Sequence, residues 1–218
     1  MDATATVAVG SQLAQVAAFT TIIQNIVLAG SGLATVIIAA KGLSAWSSQL
    51  KGTSEYAKAK EVLKAVYRVR TALMRVRAPM VMQYEYPEEM TTPSGHLKPE
   101  CDYDGTKAVY QNRWKPLADA LGELDEQNLD AQVEWEPGFQ ETIVPLRQCV
   151  IETQIAVSEM LERKQTSGEP DDRSKEEKKK DRAILYARGA DHEDDQLSRD
   201  VDAAVALFED RLRPHIKR

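Results

Sequence analysis

A long uncharged stretch near the N-terminus limits how this chain can fold. Between Asp2 and Lys41 there are 38 consecutive residues without a charged side chain. Within it, residues 16–40 read VAAFTTIIQNIVLAGSGLATVIIAA and are rich in Ile, Val and Leu. As a helix this segment would be roughly 38 Å long, which is enough to cross the hydrocarbon core of a bilayer. We therefore predict a short N-terminal tail at residues 1–15 and a transmembrane helix at residues 16–40.

Three other interpretations of this segment are weaker. A cleaved signal peptide would have a basic N-terminal region and a shorter apolar run. A helix buried in a soluble core would need a less polar remainder of the chain to surround it. A re-entrant segment would break at Gly30-Ser31-Gly32. The length of the apolar run favours the single transmembrane helix.

The charges that follow the apolar run predict its orientation. From Lys41 to Arg77 there are nine Lys or Arg residues against two Glu, whereas residues 78–218 carry 19 basic and 31 acidic residues. Positive charge next to a membrane span favours the cytoplasmic side. We therefore expect the N-terminus outside and the C-terminal part in the cytoplasm, where Cys101 and Cys149 would be free thiols.

Small and polar residues within the apolar run suggest contacts with other membrane helices. Gly30 and Ala34 are four residues apart and would lie on one helix face, which allows close helix approach in lipid. Gln24 and Asn25 could hydrogen-bond to a neighbouring helix. These four residues are candidate transmembrane packing positions, although Gly and Ala are also common in membrane helices for other reasons.

The remainder of the chain is patterned for helix packing. Apolar residues at alternating spacings of three and four predict seams of a bundle or coiled coil; the candidate seam positions are Val62, Val66, Val69, Leu73, Val76, Leu117, Leu121 and Leu124. The predicted segments are a basic juxtamembrane helix at 41–83, a Pro-rich loop at 84–106, an acidic helical hairpin or long kinked helix at 107–163, a charged linker at 164–182 and a C-terminal amphipathic helix at 183–218. Whether Pro137-Gly138 makes a turn or a kink is left open by the sequence.

Two oppositely charged stripes flank these seams. One stripe is basic and the other acidic; they consist of Lys60, Lys64, Arg68 and Arg75, and of Glu123, Glu126 and Asp130. The stripes could pair with each other between antiparallel helices, or the basic stripe could contact anionic lipid headgroups.

Known catalytic motifs are missing from the sequence. There is no nucleophile elbow, phosphate-binding loop, dinucleotide fingerprint or zinc-protease motif. The net charge of −6 does not suit nucleic-acid binding. We therefore expect no enzyme activity, no cofactor, no metal, no nucleic acid and no small-molecule substrate.

Together these patterns predict an all-α protein: a single N-terminal transmembrane helix followed by an antiparallel helical bundle or coiled-coil hairpin. The expected function is interaction or scaffolding at the cytoplasmic face of the membrane, with a protein partner or a homo-oligomer. An alternative is a membrane-active effector whose transmembrane helices oligomerise and perturb the bilayer. A third possibility is a soluble helical protein whose N-terminal helix is buried in a partner.

Overall fold

The computed structural model of the protein describes residues 3–135, 137–166, 173–189 and 191–216, with the backbone alone for residues 3–34, 134, 137 and 138. Within these ranges the regular structure is helical, apart from one isolated β-bridge. The α-helices are α1 (Ala3–Val76), α2 (Asp102–Glu134), α3 (Val144–Gln165), α4 (Lys175–Leu185) and α5 (Gln196–Ile216). The predicted all-α fold class is therefore confirmed.

The chain divides into two compact units, Met1–Thr53 and Ser54–Arg218. In the first unit the described backbone is a continuous helix, and its side chains from residue 35 to residue 51 are exposed. They include Val36, Ile38, Leu43 and Trp46, each more than half exposed. This unit therefore presents apolar side chains along its described surface.

The predicted transmembrane segment belongs to the first unit. Its backbone is helical, but most of its side chains, including those of Gln24, Asn25, Gly30 and Ala34, lie outside the described residues. Among the residues that were described, none of the helices combines the length and the apolar character needed to cross a bilayer. The structure therefore does not support the transmembrane helix, which stays a prediction.

The second unit is an antiparallel bundle of α2, α3, α5 and the part of α1 from Ser54 to Val76. Salt bridges between neighbouring helices show that they are antiparallel, because a later residue of one helix pairs with an earlier residue of the next. The pairs are Lys58–Asp130 and Arg68–Glu123 between α1 and α2, Arg147–Asp125 and Lys164–Asp102 between α2 and α3, and Arg70–Asp202 between α1 and α5. The four helices therefore run up, down, up and down. This is the bundle alternative of the predicted architecture, and nothing in the described residues supports a coiled-coil hairpin.

The candidate seam residues lie in the core of this bundle. Val62, Val66, Val69, Leu73, Val76, Leu117 and Leu124 are fully buried, and Leu121 is half-buried. Each buried Val or Leu side chain contributes about 1.5–3 kcal/mol relative to its exposed state. Apolar burial along the seams therefore supplies much of the stability of the bundle.

The end of α1 differs from the sequence prediction, and the segment after α2 answers whether the Pro-Gly pair makes a turn or a kink. Helix α1 ends at Val76 rather than near residue 83, because the residue before Pro79 is disfavoured in the α conformation. The segment Pro137–Ile143 is a 3-10 helix between the antiparallel helices α2 and α3. The Pro-Gly pair therefore belongs to a turn and not to a kink in one long helix.

The Pro-rich connection between α1 and α2 is structured. It contains three short 3-10 helices, at Gln83–Glu85, Glu88–Met90 and Pro99–Cys101, and an antiparallel bridge between Thr91 and Leu97. The connection therefore contains short helices and a bridge, although its sequence carries no long periodic pattern.

The charged stretch predicted as a linker contains helix α4, which corrects that prediction. Ser174 and Glu177 form a capping box: the Ser174 Oγ accepts from the Glu177 amide at 3.2 Å, and the Glu177 carboxylate accepts from the Ser174 amide at 2.8 Å. These two bonds satisfy amide groups that a helix start leaves without partners. A helix therefore starts at this capping box, although the stretch around it is rich in charged residues.

Candidate binding groove between α1 and α2

A groove of about 850 Å³ lies on the second unit between α1 and α2. Its apolar lining comes from α1, from α2 and from the end of α5; the apolar residues are Leu63, Ala72, Pro116, Ala120 and Ile216. Ala72 and Ala120 are almost fully buried. Because these two residues carry only a methyl group, they leave space between the helices that longer side chains would fill.

One edge of the groove is basic. Lys60, Lys64, Arg68 and Arg75 line it from α1, and all four are exposed. Arg68 pairs with Glu123 on α2. The other three make no salt bridge with any residue that the structure describes. Three cationic groups are therefore available to an anionic ligand.

The opposite edge is acidic and shorter. Asp119 and Glu123 line it from α2. Glu123 is engaged by Arg68, so Asp119 is the carboxylate of this edge without a salt bridge among the described residues. The groove therefore has an uneven charge pattern, with most of the positive charge on α1.

Two tyrosines add aromatic surface to the groove. Tyr56 is 46% exposed and Tyr67 is 40% exposed. The Tyr67 hydroxyl donates to Glu209 Oε1 on α5 at 2.7 Å. This hydrogen bond is the largest cause of a raised pKa for Tyr67, and burial and the charge of Glu209 add to it. Tyr67 is therefore a neutral phenol held in place by Glu209, and its side chain lines the groove.

The groove combines apolar lining with a few charged side chains. No group of three or more His, Cys, Asp or Glu side chains within the described ranges could hold a metal ion. Outside the groove, the Cys149 thiol is buried in α3, and this burial is the largest cause that raises its pKa to about 11. Apolar lining with a few charged groups is typical of ligand-binding pockets and of active sites.

Most residues of the two predicted charged stripes line the groove, and the others lie elsewhere. Lys60, Lys64, Arg68, Arg75 and Glu123 all line the groove. Of the two remaining acidic residues, Asp130 pairs with Lys58 at 2.6 Å and Glu126 is exposed on α2. Pairing between the two stripes is thus limited to Arg68 and Glu123, and the rest of the basic stripe faces solvent.

Sequence reasoning missed the apolar and aromatic part of the groove. Tyr56, Leu63 and Tyr67 follow the same four-and-three spacing as Lys60, so they form a second stripe on α1 beside the core seam. That periodicity was visible in the sequence. The contributions of Pro116 and Ile216 were not, because they depend on how α2 and α5 pack.

The chain matches no protein-family model, no curated protein and no solved structure. The chemistry of the groove therefore carries the functional interpretation.

Proposed function

We propose that the protein is a membrane-tethered scaffold that holds an amphipathic helix of a partner protein in the α1–α2 groove. The observation that carries this proposal is an apolar groove bordered by three basic side chains without salt bridges to described residues.

The length and shape of the groove favour a helix as its occupant. The groove extends along α1 from Tyr56 to Arg75, which corresponds to about 28 Å of helix. A third helix can lie over two antiparallel helices at an interaxial distance of about 8–10 Å. Its apolar face would contact Leu63, Ala72 and Ala120, as in other helix-in-groove complexes.

The charges favour an acidic flank on the partner helix. Lys60, Lys64 and Arg75 lie on the α1 side, so carboxylates of the partner would face that side. Complementary charges of this kind set the orientation of a partner and speed its association more than they add affinity. We therefore expect binding that weakens at high salt.

We assign the proposed membrane attachment to the first unit. Val36, Ile37 and Ile38 are exposed, and they continue the uncharged stretch that precedes Lys41. Exposed apolar side chains in an uncharged helix favour contact with lipid. With basic residues only on the C-terminal side, the positive-inside rule supports a cytoplasmic bundle.

Fluorescence anisotropy with a designed peptide tests the groove. The probe is a labelled amphipathic helix of about 20 residues with Leu on one face and Glu along one flank; a second peptide carries Lys in place of Glu. The full chain in detergent should bind the Glu peptide at least about tenfold more tightly than the Lys peptide. The double variant Lys60→Glu with Lys64→Glu should reverse this preference.

The matched control places the same charge changes on α4, as Lys175→Glu with Lys180→Glu, and should keep the preference for the Glu peptide. Absence of binding, or binding that ignores the change at Lys60 and Lys64, would contradict the proposal. Binding to vesicles of phosphatidylglycerol that depends on these two lysines, with no peptide binding, would also overturn it and make lipid the ligand.

A further inference from the structure

A second apolar surface lies on the α2–α3 side of the bundle. Its large apolar side chains are exposed to solvent; they are Leu129 and Val133 on α2 and Val144, Ile151 and Ile155 on α3, with exposures of 62, 84, 58, 47 and 53%. On each helix these positions fall on one side of the cylinder, because they are separated by four, seven or eleven residues. We call this surface the α2–α3 face.

Two neighbouring depressions mark the α2–α3 face. Their volumes are about 460 and 280 Å³, and Trp114 and Gln154 line both of them. The larger depression also contains Ala118, Gly122 and Ile151. None of the residues lining these depressions lines the α1–α2 groove, so the two surfaces are separate.

Gly122 packs against nothing among the described residues. It lies inside α2 and its φ is not positive, so the helix does not require glycine there. A Cβ added at Gly122 would meet none of the described atoms within 4 Å. Glycine weakens a helix interior relative to alanine. The open space at this position leaves the α2 backbone accessible to a neighbouring molecule.

We propose that the α2–α3 face binds the same face of a second copy of this chain, around a two-fold axis parallel to the helices. This axis places α2 of each copy against α3 of the other. Because the rotation does not shift the second copy along the axis, each residue lies at the same height in both copies. Asp125 pairs with Arg147 across the antiparallel helices. Gly122 and Ile151 lie three and four residues further along α2 and α3 in the same direction, so they are at nearly the same height. Ile151 of one copy therefore enters the space over Gly122 of the other.

The charges of the face favour a second copy over an unlike protein. Asp125 on α2 and Arg147 on α3 form a salt bridge at 2.5 Å, and both side chains are about half exposed. The proposed axis brings Arg147 of each copy to the height of Asp125 of the other. Four charges of alternating sign would then meet, which makes the face complementary to itself.

The size of the face suits a reversible dimer. The 22 residues of α3 correspond to about 33 Å of helix, and two adjacent helices are about 20 Å wide, which gives roughly 660 Å² for each copy. Specific interfaces bury about 800 Å² for each partner. The face is somewhat smaller, which is typical of a reversible contact rather than of an obligate dimer.

Sedimentation velocity of the full chain in detergent tests the dimer. The wild-type protein should sediment with twice the chain mass at tens of micromolar and dissociate on dilution. Gly122→Leu and Ile151→Arg should each give a monomer with an unchanged helical circular dichroism spectrum. The matched control is Leu207→Arg on α5, which replaces a similarly exposed side chain at 50% and should keep the dimer.

Disulfide trapping tests the axis. In a Cys101→Ser background, chains carrying Gly122→Cys and chains carrying Ile151→Cys are mixed and mildly oxidised; the proposed axis predicts a disulfide between the two different chains. A disulfide between two Gly122→Cys chains in preference would overturn the axis. A wild-type monomer, or a dimer that survives both Gly122→Leu and Ile151→Arg, would overturn the interface. None of these outcomes depends on the α1–α2 groove.

Discussion

Arg77 and Asp195 form a buried ion pair in which Nη2 of the guanidinium donates to Oδ1 of the carboxylate at 2.7 Å, and neither side chain is exposed. The same guanidinium donates to the carbonyl oxygens of Ala183 and Ile184 at 2.9 and 2.7 Å and to Ser198 Oγ at 2.9 Å. This one side chain therefore connects the end of α1 with the end of α4 and the start of α5.

Asp195 also caps α5. Its Oδ1 accepts from the Ser198 amide at 3.0 Å, and its Oδ2 accepts from the amides of Arg188 and Gly189 at 2.6 and 3.0 Å. Burial by itself raises the pKa of this carboxyl, but the hydrogen bonds from Arg77 and the other donors lower the pKa by more. Asp195 is therefore held as a carboxylate.

Replacing Asp195 by Asn should strongly destabilise the bundle. The change leaves the Arg77 charge buried without a counter-ion, which typically costs about 3–5 kcal/mol. The measurement is the free energy of unfolding in urea. The control is Asp202→Asn, which removes the exposed partner of Arg70 and should cost no more than about 1 kcal/mol. Equal effects of the two changes would show that the buried pair stabilises the bundle no more than the exposed pair does.

The bundle should lose stability in acid. The pKa of Asp195 is lowered in the folded state, and the pKa of Glu85 is lowered mainly by its hydrogen bonds with Arg113. A lowered pKa stabilises the fold above the ordinary values of 3.8 for Asp and 4.5 for Glu, and this contribution is lost as pH falls below them. The free energy of unfolding should therefore decrease below pH 4.5. Asp195→Asn combined with Glu85→Gln should flatten this dependence, and an unchanged slope would contradict the assignment.

The two cysteines should differ in reactivity. Cys149 is only 4% exposed, and burial above all raises its pKa to about 11, so few thiolates form near neutral pH. Cys101 is half-buried in the connection before α2. At about pH 8, Ellman's reagent should modify Cys101 in the folded protein and both cysteines in urea. A Cys101→Ser variant that still reacts rapidly when folded would be inconsistent with a buried Cys149.

Arg113 should hold the connection between α1 and α2 in place. Its guanidinium donates to both carboxylate oxygens of Glu85 at 2.6 and 2.9 Å, and to the carbonyl oxygens of Ala78 and Met80 at 2.8 and 2.7 Å. Removing these four bonds should let the connection open locally. Arg113→Met should therefore speed chymotrypsin cleavage at the exposed Tyr84 by roughly tenfold.

The control for this prediction is Lys107→Met, which changes an exposed residue of the same helix and should leave the cleavage rate unchanged. Equal rates in Arg113→Met and in the wild-type chain would show that Arg113 does not hold the connection in place.

Local patterns in the sequence determined the helices and the residues that they bury. The spacing of Val62, Val69 and Leu73 gives one face of a helix, and this face is buried whatever its partner is, because apolar surface leaves water. The capping pair Ser174 and Glu177 was equally local. This pair was present in the sequence, but the many charged residues around it led to the prediction of a linker instead of a helix.

The tertiary structure alone decided which faces meet. Arg77 and Asp195 are 118 residues apart, and no local pattern indicates that a charge at the end of α1 will be buried against the cap of α5. The sequence showed a basic stripe, but only packing left Lys60 and Lys64 beside an apolar groove while Arg68 found Glu123. Periodicity records which side of a helix is apolar. The choice of neighbour depends on the summed contacts of the whole bundle, which no short segment contains.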